Sequence, residues 1–252
     1  MATLTATTIP TREEYDRMAE EYMAHLPLEH FMERSEHARQ RDIAVSSFVS
    51  IAKERPDIQL FSELLVQYPR KGHIRNGQVV PDNMVVIHEE KLTPVISFSV
   101  VHEPCRPFMV MEYVSPGSGN QRKDYHGSYL KYEKELKVPC YLIFDPEEQQ
   151  LDFFRHNGPL FVKQTPDRQG RYRVPELELE LAVHGDSVRY WFRGELVPIT
   201  EELYDGNVKL RASNENLNLA MQELQRNQQS IEEENIRLRE MLSRLSPNAE
   251  KQ

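Results

Sequence analysis

From Leu210 onward an aliphatic residue returns every seventh position without a break: Leu210, Leu217, Leu224, Ile231, Leu238 and Leu245. Four places after each of the first five stand Asn214, Met221, Gln228, Asn235 and Leu242. A strict period of 3.5 residues suits a helix that supercoils with a partner, whereas a helix lying on a globular core follows 3.6. The spacing therefore predicts a coiled coil over 207–246, with the aliphatic column at d and a mixed column at a. The asparagines at a lower stability but favour one register, which points to a homo-oligomer, a parallel dimer through residues 210–245. A single amphipathic helix folded back on the rest of the chain is the competing reading. Ser246-Pro247 stops the helix, and 247–252 is expected to be a disordered tail.

The rest of the 252-residue chain has a different texture. Residues 1–26 form a leading segment in which Thr11 and Glu14 have the spacing of a capping box. That box opens a short helix with Tyr15, Met18, Ala19 and Tyr22 on one side. A longer helix is expected from about Pro27 to Arg55, on a stripe of Phe31, Ala38, Ile43, Ala44, Phe48 and Ile51, ending at Pro56-Asp57. Beyond it the period falls to that of strands. Leu60–Tyr68 reads as one strand and Val79–Ile87 as a second, entered through Pro81. Val95–Val101 reads as a short edge strand, because Pro94, Pro104 and Pro107 limit pairing around it. Phe108–Val114 is nearly continuously apolar, as in a strand buried on both faces. A helix is expected over 122–136, with Tyr125, Tyr129, Tyr132 and Leu136 on one side. Val138–Phe144 and Leu151–Arg155 then form a hairpin, and Phe161–Lys163, Tyr172–Val174 and Val188–Phe192 are further short strands. Residues 27–200 are thus read as one α/β domain.

Two carboxylates interrupt this pattern. Asp82 follows Pro81 at the head of an apolar strand, and Glu112 sits inside the run from Phe108 to Val114. A carboxylate in such a place is costly to bury unless something positive meets it. Brought side by side on adjacent strands, the two would form a site for a hard divalent cation, held by one or two carboxylates with water and phosphate completing the shell. The plainer readings are a turn residue for Asp82 and an ion pair with Arg122 or Lys123 for Glu112.

With Lys123, Asp124 and Lys131 on the following helix, these residues resemble the PD-(D/E)xK nuclease superfamily. More narrowly the chain is similar to the Uma2 family. The pieces that carry the resemblance are Pro81-Asp82 before an apolar strand, the run Val110-Met111-Glu112-Tyr113-Val114-Ser115-Pro116, Lys123-Asp124 ahead of Tyr132, and Leu136-Lys137-Val138-Pro139-Cys140-Tyr141-Leu142-Ile143-Phe144-Asp145-Pro146. It spans about residues 28–195 and implies a mixed central sheet flanked by helices. It also implies a DNA endonuclease in which Asp82 and Glu112 hold Mg²⁺ or Mn²⁺, the carbonyl of Tyr113 completes the shell, and a lysine serves the attacking water. The chain departs from the pattern at that lysine. Val114 occupies the superfamily position two residues after Glu112, and Ser128 occupies the Uma2 position on the helix. Lys131 shares that helix face and is the first substitute, with Lys123 the second; a solvated helix lysine is the alternative for Lys131. Glu63, Glu33 and Asp124 are additional candidate acids. Glu33, Glu36 and His37 read first as surface residues of the long helix, and Glu63 as an exposed strand position. The remaining histidines lack ligand spacing. Arg70, Lys71 and Arg75 form either a phosphate-contact patch or a charged hairpin loop.

Composition decides between some of these classes and not others. A net charge of −9 counts against passive coating of nucleic acid, but not against an enzyme that meets DNA through a local patch and a metal. It also leaves room for a non-catalytic nuclease-like scaffold that works through its coiled coil. Cys105 and Cys140 form no CxxC pair, which argues against a zinc cluster and for a reducing, cytoplasmic setting. No stretch approaches the roughly 18 apolar residues of a membrane span.

Overall fold

The computed structural model describes residues 10–26, 35–70, 76–114 and 127–245. The chain divides into two compact units, Met1–Ile199 and Thr200–Gln252. In the first, helix α1 (Arg12–Ala24) starts at the predicted box. Thr11 N–H donates to the Glu14 carboxylate at 2.8 Å, and Glu14 N–H donates back to Thr11 Oγ1 at 3.3 Å. Both bonds satisfy amides that a helix start otherwise leaves open. Helix α2 (Ser35–Ile51) carries Ile43, Ala44, Phe48 and Ile51 into the core. It ends earlier than the predicted Arg55, because residues 52–54 form a turn that brings the chain to the first strand. Residues 27–34 of the predicted helix, Tyr125, and the predicted tail after Pro247 lie outside the described residues.

The strands run β1 (Ile58–Ser62), β2 (Leu65–Tyr68), β3 (Gly77–Val79), β4 (Asn83–Ile87), β5 (Ser97–Ser99), β6 (Met109–Tyr113), β7 (Cys140–Asp145), β8 (Gln150–His156), β9 (Phe161–Lys163), β10 (Tyr172–Val174), β11 (Leu179–His184), β12 (Ser187–Phe192) and β13 (Glu195–Leu196). They make a six-stranded sheet in the order β1-β4-β6-β7-β8-β9, a four-stranded sheet β10-β11-β12-β13 and a three-stranded sheet β3-β2-β5. The large sheet is mixed: β6 and β7 are parallel and its other neighbours antiparallel. Strand β5 is an edge strand, as its prolines predict. Strand β6, the most apolar run of the sequence, is central.

Two predicted strands are each a pair. Leu60–Tyr68 breaks at Glu63, whose backbone is left-handed (φ 49°), a conformation that costs an L-residue about 1–2 kcal/mol. Val79–Ile87 breaks around Pro81, which has no N–H to give to a ladder. The two breaks face each other, with Glu63 N–H donating to the Asp82 carbonyl at 3.2 Å. One antiparallel ribbon therefore bends there, pairing β1 with β4 in the large sheet and β2 with β3 in the small one. Strand β11 escaped the sequence reading altogether. Leucines and glutamates alternate over 176–181 as the chain enters it, yet it pairs with β12 from Leu179↔Phe192 to His184↔Ser187.

The large sheet is covered on both faces. Met109, Met111, Tyr113, Leu142, Phe144 and Phe153 meet α2 and the four-stranded sheet. Met84, Val86, Val110, Tyr141 and Ile143 meet the small sheet and helix α3 (127–136). That helix closes in a π-helical turn, Lys131–Leu136, which brings the consecutive residues Tyr132 and Glu133 both inward. The second unit contains one long helix, α4 (Thr200–Leu245), where the heptad spacing predicts it. No described helix is long and apolar enough to cross a membrane.

Candidate active site

Asp82 stands one residue before β4, and β4 pairs with β6 so that Asn83 faces Met111. One further step along this antiparallel register sets Asp82 opposite Glu112. Alternation decides the face. Asp82 shares a side of β4 with Met84 and Val86, and Glu112 shares a side of β6 with Val110, so both carboxylates turn toward α3 and the small sheet. The bend in the β1–β2/β3–β4 ribbon brings Asp82 to this end of the sheet.

Each carboxylate is held by a neutral donor. Tyr113 N–H donates to Asp82 Oδ2 at 2.6 Å, and Tyr132 O–H donates to Glu112 Oε1 at 2.6 Å. Across the register the two carboxyl groups lie close enough for the charge of Asp82 to act on Glu112. Burial pushes both carboxyl pKa values up, and the charge of Asp82 pushes Glu112 well above the usual carboxylate range. The Tyr113 N–H, His37 and Arg41 pull Asp82 the other way without cancelling its burial. Two anions so close are stable only with a shared proton or a cation between them. The donor set fits a hard divalent cation whose remaining shell is water and phosphate oxygen. Among the described residues no cluster of three His, Cys, Asp or Glu side chains suited to a metal forms.

The surroundings supply positive charge. Lys131 Nζ is half-buried, donates to the Gln78 carbonyl at 3.0 Å and feels the charge of Glu112. Burial lowers its pKa, partly offset by Glu135 and Glu112. Arg70 pairs with Glu135 at 3.0 Å nearby. On the other side, Arg41 of α2 pairs with Glu63, whose side chain is 58% exposed.

A model of the Uma2 family, described as "Putative restriction endonuclease", matches residues 12–184. The chain belongs to the Uma2 family. The matched stretch runs from α1 through β11, contains Asp82, Glu112 and Lys131, and stops before α4. No curated protein matches. Among solved structures, a "putative nuclease belonging to DUF820" from Anabaena variabilis ATCC 29413 is similar, with a TM-score of 0.43 and 21% identity over 58% of this chain and 75% of that one.

In this Uma2 chain, Val114 packs against the second core cluster, so the superfamily lysine position is filled by an apolar contact. Glu63 is exposed, as expected, but ion-paired. Lys123, Asp124 and Glu33 lie outside the described residues. Glu36 is exposed, whereas His37 corrects the surface reading: it is only 7% exposed and meets the Tyr113 ring edge-on at 6.4 Å between centroids. Its Nε2 is buried and makes no hydrogen bond among the described residues. The sequence reading also passed over Arg41 and the Tyr132 hydroxyl. Tyr132 stands out in the sequence as an inward helix position, but nothing local marks its polar tip as a donor.

Proposed function

We propose that this Uma2 chain is a metal-dependent DNA endonuclease that hydrolyses phosphodiester bonds. The reading is carried by one observation: Asp82 and Glu112, two partly buried carboxylates on adjacent strands, face each other across the register on one side of the sheet. Asp82 and Glu112 hold the ion, Mg²⁺ or Mn²⁺. When bound, such an ion acidifies a coordinated water and takes up charge on the phosphoryl oxygens. The chain's own groups do the rest. The Tyr113 N–H and the Tyr132 hydroxyl fix the carboxylates. Lys131 sets an ammonium beside Glu112, where it orients the attacking water and stabilises the anionic phosphoryl group, with Lys123 the second candidate for that role. Arg70 and Lys131 offer phosphate contacts to DNA on a chain that is otherwise acidic. Helix α4 joins two copies of the chain. Two cysteines without a disulfide, Cys105 and Cys140, suit action in the cytoplasm.

The apolar Val114 favours a second reading, a nuclease-like scaffold without catalysis. Incubation of supercoiled plasmid with the protein and Mg²⁺ or Mn²⁺ separates the two. The enzyme reading expects nicked and linear products from the native chain and none from Asp82→Ala or Glu112→Ala. Intact plasmid together with no metal-dependent thermal shift leaves the scaffold. Equal cleavage by both variants places the chemistry elsewhere.

A further inference from the structure

We infer that α4 pairs with α4 of a second copy of this chain as a parallel, in-register, two-stranded coil whose seam begins at Leu203. This rests on the reading of α4 as the joining element and deepens it by fixing direction, register and extent. Every side chain from Thr200 to Arg244 is exposed, including the whole aliphatic column from Leu203 (46%) to Leu224 (61%) and Leu238 (47%). Leu203 and Asn207 extend the a/d columns one heptad before Leu210. The first d layer therefore lies four residues after Ile199, the last buried residue of the first unit.

Direction follows from the a column, which reads Asn207, Asn214, Met221, Gln228, Asn235, Leu242. In an antiparallel pair each a residue faces a d residue, so four amides would be set against leucine or isoleucine. An unsatisfied buried amide costs about 1–3 kcal/mol. In a parallel, in-register pair each layer meets itself, amide on amide and aliphatic on aliphatic. A slip of one heptad spoils this: Asn214 then meets Met221, Met221 meets Gln228, and Asn235 meets Leu242. A slip of three heptads matches again but keeps only three of the six a layers, so only the unslipped register matches every layer over the whole helix.

The asparagines are already arranged for it. Asn207 Nδ2 donates to the Leu203 carbonyl at 3.1 Å and Asn235 Nδ2 to the Ile231 carbonyl at 3.0 Å. Each amide is thereby anchored to its own helix through one N–H, and the facing amide can use its second N–H and its oxygen. Asparagine at a also selects two strands over higher orders. Flanking charges agree. With g of one helix facing e of the other five residues on, Glu234 meets Arg239, and no g–e pair from Gly206–Arg211 onward brings like charges together. A parallel coil tethers both Asp82–Glu112 pairs at its N-terminal end, which raises the local concentration of one for a duplex held by the other.

Full-length protein carrying Cys105→Ser, with either Leu210→Cys or Leu238→Cys, tests the register by mild oxidation. These positions are about 42 Å apart along a helix, at 1.5 Å per residue. Each single variant is expected to form a disulfide-linked dimer, and sedimentation equilibrium of the native chain to give about 59 kDa, twice 29.6 kDa. Linkage of Leu210→Cys only when mixed with an Asn235→Cys variant, a d residue facing an a residue, means an antiparallel pair, and overturns direction and register while leaving pairing through α4 intact. A native mass of one chain overturns both, and a mass of three chains overturns the two-stranded coil. Leu217→Asp with Leu224→Asp is expected to yield a monomer whose first unit melts at the native temperature. A dimer that survives this double change also overturns the assignment.

Discussion

Tyr132 gives its hydroxyl hydrogen to Glu112 Oε1 across 2.6 Å, from the π-helical turn of α3 to the central strand β6. The ring that carries this hydroxyl is fully buried and packs on Tyr141 with 5.1 Å between centroids. Tyr132→Phe therefore removes the donor and keeps the packing. Partners that orient a metal-holding carboxylate typically contribute 10–100-fold to metal affinity. Calorimetric titration with Mn²⁺ is expected to show a Kd weakened by about tenfold, with folding stability lowered by only about 1 kcal/mol. An unchanged Kd would show that Glu112 needs no holder.

The carboxylate pair makes stability depend on pH in an unusual direction. Asp82 has a folded pKa raised by burial and by the charge of Glu63, and Glu112 one raised by burial and by the charge of Asp82. The folded state then binds protons more tightly than the unfolded state, so metal-free stability falls as pH rises from the ordinary carboxylate range through the raised values. Asp57, Glu178 and Asp186, lowered by arginine or hydroxyl partners, contribute the opposite slope at lower pH. Comparison with Glu112→Gln isolates the pair. The variant is expected to be more stable than the native chain at pH 8, by on the order of 1 kcal/mol for each unit of raised pKa removed. The difference should vanish near pH 3. Urea melts at the two pH values check this, and a variant less stable at pH 8 contradicts it.

The sequence shows Asp82 and Glu112 because a carboxylate in an apolar run stands out against its neighbours. The capping box at Thr11 and Glu14 is equally local, and so is the proline-limited edge strand β5. What stays hidden depends on partners far along the chain. Leu60–Tyr68 has nothing that announces a bend, because the left-handed Glu63 is held by pairing with Asp82 and by Arg41 of α2. His37 looks like a polar helix residue until the end of β6 and its Tyr113 ring close over it. Strand β11 reads as charged because Glu180, and the glutamates just before it, flank Leu179 and Leu181, which point into the core. The Tyr132 hydroxyl has no visible purpose until the strand opposite it is known. Local chemistry is legible in one dimension, whereas a donor's target is not.

Lys131 is the group on which hydrolysis turns in the proposed site. Its ammonium is anchored on the Gln78 carbonyl and lies in the field of Glu112, and burial lowers its pKa. Lys131→Gln is expected to slow plasmid cleavage by about 100-fold, the scale of one lost electrostatic donor. The Mn²⁺ Kd should stay within about twofold, because Lys131 holds no metal. Lys134→Gln, whose native ammonium is 54% exposed and pairs with Glu133, should cleave at the native rate. Native cleavage by Lys131→Gln would move the role to another group, Lys123 first.

The same wall of the site depends on a glycine. The β2–β3 register sets Tyr68 opposite Gly77, one residue before the Gln78 that anchors Lys131. The Tyr68 ring lies over that glycine so closely that an added Cβ would stand 2.1 Å from Cε2 and 2.3 Å from Cζ. The ring is itself buried, at 2% exposure, and has little room to retreat. Gly77→Ala is therefore expected to destabilise the first unit by about 1–3 kcal/mol, the usual cost of overpacking. The cause is the ring and not the backbone, so the cost of Gly77→Ala should nearly disappear when Tyr68 is also changed to Leu. A double-mutant cycle by urea denaturation is expected to give a coupling of at least about 1 kcal/mol. Additive effects would mean that the glycine is kept for its backbone alone.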